Sequence, residues 1–245
     1  MKAHYVSVLV LSICALALHA EDGGSIKGSV VYDGVPPDMK PFKVDDGAVA
    51  DCKCAQVDND TLIVDPTTKA IKWSIIRLMI EPKDAPPKAA KLAQLDQKGC
   101  HFEPHVVVSA PGEDVEFLNG DGSPGNMGAI HNIHSMGYDF VNKEFNQAHQ
   151  PGASKIMKGS VYFKDPEIVQ INCNMHGWMK SFVVVHDPRY CAVTGADGKF
   201  EIKNVPPGKY KINVMQESCG EKPLDVEVKA GAATDMGEVK MKKGK

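Results

Sequence analysis

Residues 168–185 read Ile168-Val169-Gln170-Ile171-Asn172-Cys173-Asn174-Met175-His176-Gly177-Trp178-Met179-Lys180-Ser181-Phe182-Val183-Val184-Val185. Two apolar, β-branched runs, Ile168–Cys173 and Lys180–His186, flank a short loop carrying Asn, Gly and sulfur, so the stretch predicts two strands joined by a tight connection. Upstream, His105–Ala110, Val115–Asn119, Ile130–His134 and Ser160–Phe163 are predicted strands at the spacing of a sandwich. Downstream, Asp197-Gly198 is a hairpin signal, and Val205-Pro206-Pro207-Gly208 turns the chain into a strand over Tyr210–Met215. Towards the N-terminus, Gly28–Tyr32 and Ile71–Ile80 also predict strands, and only Lys88–Leu95 predicts a helical turn or two. No helical period is sustained, and the expectation is an all-β chain.

The 245 residues are 43% hydrophobic and 24% charged, with a formal net charge of −3. That length and composition support one large or two small packed domains, and the charge supplies no basic field for nucleic acid. Tyr5–Leu18 is apolar, preceded by Lys2 and followed by His19-Ala20 and a polar stretch. This reads as a signal peptide over residues 1–20, cut after Ala20 or, since Leu18 stands three residues before that cut, alternatively after Ala17. It is too short for a membrane span, so the expected location is periplasmic or secreted, with no stable membrane insertion. One of the seven cysteines, Cys14, lies within that segment.

The loop carries the chemistry. Cys173, His176 and Met179 are spaced Cys-x2-His-x2-Met, and Ile130-His131-Asn132-Ile133-His134 stands about forty residues upstream. A thiolate, two imidazoles and a thioether are the donor set of a mononuclear copper electron-transfer site: sulfur suits Cu(I), and imidazole tolerates both oxidation states. Structural zinc sites more often use two or more cysteines. His131 and His134 are three apart on one strand and face opposite sides, so only one can turn inward. Met175 lies between Cys173 and His176, where the loop must turn outward.

From about His101 to His186 the chain resembles the cupredoxin family of plastocyanin- and amicyanin-like blue copper proteins. The resemblance rests on the Cys-x2-His-x2-Met loop, the upstream His131-Asn132 pair, Gly112-Glu113-Asp114-Val115-x-Phe117-x-Asn119 and the closing strand Phe182–Val185. It implies a Greek-key β-sandwich, one type 1 copper held by His131, Cys173, His176 and Met179, and Asn132 tying the His131 strand to the Cys173 loop. It implies also that electrons pass through His176, inside a docking face of Met175, Gly177 and Trp178 that meets transient redox partners, with no enzymatic turnover. Thr194-Gly195-Ala196-Asp197-Gly198-Lys199-Phe200 and Val205-Pro206-Pro207-Gly208-Lys209-Tyr210 resemble the carboxypeptidase regulatory-like, transthyretin-like β-sandwich, whose opening pattern is matched by Gly28-Ser29-Val30 and Gly34-Val35-Pro36. The expected organisation is therefore a cupredoxin domain, 83–187, inserted into a discontinuous sandwich of 21–82 and 188–245.

With Cys173 given to copper, Cys52, Cys54, Cys100, Cys191 and Cys219 remain for disulfides, and five cysteines admit fifteen arrangements with one left over. Cys191 and Cys219 flank the C-terminal hairpins and are expected to pair, as is Cys100 with Cys52 or Cys54. A rival reading of Cys52-Lys53-Cys54 is a soft docking pair for Cu(I).

Overall fold

The computed structural model describes residues 23–44, 48–53, 55–122 and 128–244; the expected signal peptide and Cys54 lie outside the described residues. In chain order the elements are β1 (Gly24–Tyr32), β2 (Phe42–Lys43), α1 (Val49–Cys52), β3 (Gln56–Val57) and β4 (Ile75–Met79). They continue with β5 (Ala93–Gln97), β6 (Phe102–Glu103), β7 (Val106–Ser109), β8 (Val115–Asn119), β9 (His131–Gly137), β10 (Asn146–His149) and β11 (Ser154–Met157). After α2 (Gly159–Tyr162) come β12 (Glu167–Asn172), β13 (Lys180–Val185), β14 (Cys191–Val193), β15 (Lys199–Val205), β16 (Gly208–Gln216), β17 (Gly220–Val228) and β18 (Ala233–Met241). The protein is all-β.

Apart from the small β2–β3 pair, the strands form four sheets, ordered β15-β1-β18, β14-β4-β16-β17, β10-β9-β12-β13-β7 and β11-β8-β5-β6. The first two combine strands from both ends of the chain, and the last two use only strands between β5 and β13. Alternate residues of β4 show how the sheets stack. Ile76 and Leu78 pack with Ile26, Val30 and Phe200 of the first sheet, whereas Ile75 packs with Val106, Phe182 and Val184 of the third. β13 behaves likewise: Phe182 and Val184 turn towards Ile75 and Met215, and Val183 and Val185 towards Phe117 and Leu95. β13 is buried on both faces, which is why Phe182–Val185 reads as a continuous apolar run instead of an alternation, whereas β4 carries the partly exposed Arg77 between Ile76 and Leu78. Each fully buried aliphatic side chain there contributes about 1.5–3 kcal/mol.

Several expectations are corrected. Lys88–Leu95 is not helical: β5 begins at Ala93 and pairs in parallel with β8, Leu95 opposite Phe117. Burying Leu95 between the sheets outweighs the helix propensity of the Ala/Lys segment. Ser160–Phe163 is no strand but part of the single turn α2, which forms because Asp114 Oδ1 accepts the Gly159 N–H at 2.9 Å and the Phe163 N–H returns to the Gly159 carbonyl. The edge position belongs instead to β11, beside β8.

Residues 42–57 were expected in the outer sandwich, yet Val44, Cys52 and Val57 belong to the core that holds Leu95, Phe117 and Ile133. The described residues of this segment form a strap across the β5–β13 part of the chain. Cys191 and Cys219 do not pair and are free thiols. Cys191 faces Ile75 and Phe182 on one side of its sheet, while Cys219, in the β16–β17 turn, packs on the opposite side with Ile76 and Val214. A bond between them is excluded, because a disulfide needs Cα atoms within about 7 Å and side chains pointing together.

Candidate metal centre

β9 and β12 run antiparallel with His134 opposite Asn172, so the chain leaves β12 at Cys173 beside the start of β9, where His131 stands. The 173–179 loop is closed by its own backbone: the Cys173 N–H donates to the Met179 carbonyl at 3.2 Å, and the Met179 N–H to the His176 carbonyl at 2.9 Å. His131 and Ile133 turn inward and are fully buried, while His134 turns outward with its Nδ1 at 3.0 Å from Asn174 Oδ1.

Three side chains converge at this end of the sheets. The Nδ1 atoms of His131 and His176 are 2.9 Å apart, and Cys173 Sγ lies 3.8 Å from the first and 3.7 Å from the second. A point in the plane of these atoms is about 2.0 Å from all three, close to the metal–imidazole and metal–thiolate bond lengths of about 2.0–2.1 and 2.3 Å known for zinc. A d-block ion therefore fits the donors that the chain presents. Met179, 1% exposed, lies in the same core as Cys173, beneath the loop.

The surroundings fix the donors. His131 Nε2 is 2.8 Å from Asp121 Oδ2. An ionised carboxylate only accepts, so Nε2 carries the proton and Nδ1 presents its lone pair to the centre. Asp121 is also held by the backbone N–H groups of Gly99 and of Cys100, the latter at 2.8 Å. Burial alone would raise the Asp121 carboxyl, but these hydrogen bonds hold it below the usual carboxylate range. Burial also pushes the Cys173 thiol up. The close approach of the His131 and His176 rings to its sulfur, together with the backbone N–H groups of Asn132 and His176, brings it down to about 6, so the thiolate is favoured.

Asn132 Oδ1 accepts the Asn174 N–H at 2.6 Å, joining the β9 strand to the loop. A further layer supports it: Gln97 Nε2 donates to the Asn132 carbonyl at 3.0 Å, and Gln97 Oε1 pairs with His149 Nδ1 at 2.7 Å.

Of the expected docking residues, Gly177 and Met175 are exposed, Met175 by 57%. Trp178 is half-buried, with its ring 5.3 Å from that of His176 and its indole N–H donating to the Cys100 carbonyl at 3.0 Å. His176 is only 3% exposed. Cys52 and Cys100 form a disulfide, which removes Cys52 from a free Cu(I)-docking pair. Sequence reasoning missed Asp121; its only signal was the turn Gly120-Asp121-Gly122 directly after β8.

No family model and no curated protein sequence matches the chain. Among solved structures, it is similar over 44% of its length to 26% of a Cu-containing nitrite reductase from Thermus scotoductus SA-01, at 21% identity and a TM-score of 0.33. The chain thus spans about a quarter of that enzyme. It is similar over 45% of its length to 98% of a point mutant of amicyanin in the Cu(I) form, at 14% identity and a TM-score of 0.32. A purple cupredoxin from Nitrosopumilus maritimus matches 38% of the chain over 98% of its own length, at 21% identity and a TM-score of 0.29.

Proposed function

We propose that the chain is an exported type 1 copper protein that carries single electrons between redox partners. The carrying observation is the convergence of His131 Nδ1, His176 Nδ1 and Cys173 Sγ around a point at metal-bond distance from each. In this reading those three residues would hold the ion, and Met179 would add a weak thioether donor. Copper bound there would alternate between Cu(I) and Cu(II). The chain's own contribution is rigidity: Asp121 fixes the His131 ring, Asn132 pins the loop, and two backbone N–H groups stabilise the Cys173 thiolate, so the donors keep one geometry in both oxidation states.

Met175 and Gly177 offer a small exposed face beside His176, of the kind that transient redox complexes use. Four protein donors leave no position for a substrate, which favours a carrier over an enzyme. Residues 83–187 are proposed as the cupredoxin domain and the remaining sandwich as the carboxypeptidase regulatory-like part. Export rests on residues 1–20 alone, and among the described residues no helix is long and apolar enough to cross a membrane.

Visible absorption and electron paramagnetic resonance of the copper-loaded protein lacking residues 1–20 test the reading, with Cys173→Ser alongside. An intense thiolate-to-copper band that the variant loses supports it. A colourless protein that binds Cu(I) tightly would instead identify a copper-trafficking protein.

A further inference from the structure

The Cys52–Cys100 disulfide lies against the metal centre. Both sulfur atoms and a ring nitrogen of His176 lie within 4.8 Å of one another, and Cys100 Sγ, a carboxylate oxygen of Asp121 and a ring nitrogen of His131 form a second group within the same limit. The two imidazoles of the centre therefore border a pair of sulfurs that takes no part in it while the disulfide is closed.

The two ends of the bond are held differently. Cys100 sits in the two-residue turn between β5 and β6, with Gly99 and Cys100 both left-handed (φ 61° and 53°), closed by the Lys98 N–H to the His101 carbonyl at 2.9 Å and the reverse bond at 3.2 Å. Its N–H is bound by Asp121 at 2.8 Å and its carbonyl by the Trp178 indole at 3.0 Å. Cys100 is thus fixed beside the imidazoles by bonds that do not involve its sulfur. Cys52 ends a four-residue helix that has no side-chain cap, and it is the more exposed of the two, 7% against 0%.

We propose that Cys52–Cys100 is a masked ligand pair, and that its reduction releases Cys100 Sγ as a second thiolate donor, in place of the weak Met179 thioether, to the metal held by His131, Cys173 and His176. The proposal rests on the copper reading above. The reductant is a dithiol. One of its thiolates attacks Cys52 Sγ, the S–S bond breaks, and the electron pair leaves on Cys100 Sγ; the second thiolate of the dithiol then resolves the mixed disulfide, and Cys52 leaves and takes up a proton. Two electrons pass from the dithiol to the protein, and the dithiol becomes a disulfide. Cys100 binds metal as the thiolate or, in the metal-free protein, takes the second proton. A centre with two thiolates selects Cu(I) and resists oxidation, so the reduced protein stores copper and the oxidised protein cycles it. The strap survives the opening because Val44 and Val57 remain buried in the core of the β5–β13 unit.

Cobalt(II), which neither thiols nor phosphines reduce, counts the thiolates through its charge-transfer absorption in the near ultraviolet. The proteins to compare are the wild type, Cys52→Ser, which frees Cys100, and Cys52→Ser/Cys100→Ser, which removes the disulfide without adding a donor. The expected result is a one-thiolate band in the wild type and the double variant, and about twice that intensity in the single variant, with Cu(I) held about tenfold more tightly than in the double variant, measured against a chromophoric chelator. Equal spectra and affinities in the two variants would overturn the proposal and leave the disulfide a structural cross-link. A wild type with no thiolate band would instead refute the copper reading. If Cys52→Ser does not fold, the cobalt-loaded wild type treated with a phosphine decides: a band that stays constant while two thiols appear overturns the proposal, and a doubled band upholds it.

Discussion

The contact most sensitive to pH should be the one that joins the strap, the β5–β13 unit and the outer sandwich at His105. Its Nδ1 is 2.9 Å from Asp60 Oδ2 on the strap's continuation, and its Nε2 is 2.5 Å from Glu217 Oε1 in the β16–β17 turn. His101 lies 3.6 Å from the same Asp60 oxygen, Lys180 is 3.3 Å from Glu217, and Tyr138 also senses the Glu217 charge. Burial, with His105 only 3% exposed, would by itself push the imidazole down. The two carboxylates override it and hold the value up at about 9 instead of 6.5, while Asp60 is held below its usual range against its own burial. A carboxylate lies within ion-pair distance of each ring nitrogen, an arrangement that favours the doubly protonated ring.

A rise from 6.5 to about 9 corresponds to about 3 kcal/mol of preference for the folded, protonated state. Because the folded value lies above the unfolded one, this stabilisation is fully present below about pH 6.5, shrinks as pH rises, and is gone above about pH 9. The perturbation is His105→Gln, which keeps the size and removes the charge. Urea unfolding of metal-free wild type and variant should differ by about 3 kcal/mol near pH 6 and by little near pH 9.5. A difference that stays constant across that range would show that His105 packs there without titrating, and the ionic account of the junction would be wrong.

Asp121→Ala removes the acceptor that sets the His131 tautomer, and metal affinity in a competition titration should fall about 10–100-fold with the fold retained. Asn132→Ala leaves the Asn174 N–H without its acceptor; the expected cost is about 1 kcal/mol in urea unfolding, together with a broadened copper resonance as the loop loosens. Removing the disulfide in Cys52→Ser/Cys100→Ser frees a 48-residue separation, for which chain entropy sets an upper limit of about 4 kcal/mol. The measured loss of metal-free stability should fall below that limit, since Val44 and Val57 still hold the strap; a loss above it would mean that the cross-link supports packing as well as closure.

The all-β fold was legible because Ile71–Ile80 mixes alternation with β-branched residues and Phe182–Val185 is a continuous apolar run, as a strand buried on both faces must be. The convergence of Cys173, His176 and His131 was legible for a different reason: the donors are chemically unusual, and their spacing is short. The edges were not legible. β10 reads Asn146-Gln147-Ala148-His149 and β11 reads Ser154-Lys155-Ile156-Met157. Edge strands carry polar residues that discourage further pairing, and that same composition hides them among loops. Asp121 was missed because its role depends on two N–H groups from a turn more than twenty residues earlier. Cysteine pairing failed at Cys191 and Cys219 because proximity along a hairpin says nothing about which face of the sheet each side chain occupies.

The strap links these observations. The described residues of 42–60 are anchored on the β5–β13 unit in three ways: a disulfide at Cys52 beside His176, apolar burial at Val44 and Val57, and an ion pair of Asp60 with His105. The partner of the first anchor, Cys100, and that of the last, His105, are five residues apart on either side of the short strand β6. A shift in β6 is therefore felt at both ends, by Asp121 and Trp178 through the Cys100 backbone and by Glu217 through the His105 ring. The apolar interface of Ile75, Phe182, Val184 and Met215 resists sliding of the two units but has no direction of its own. The directional contacts are those of β6 and the strap. The 173–179 loop and the β16–β17 turn are thus joined through the segment that also carries the disulfide, with Trp178 bound to the Cys100 carbonyl at one end and Glu217 to the His105 ring at the other.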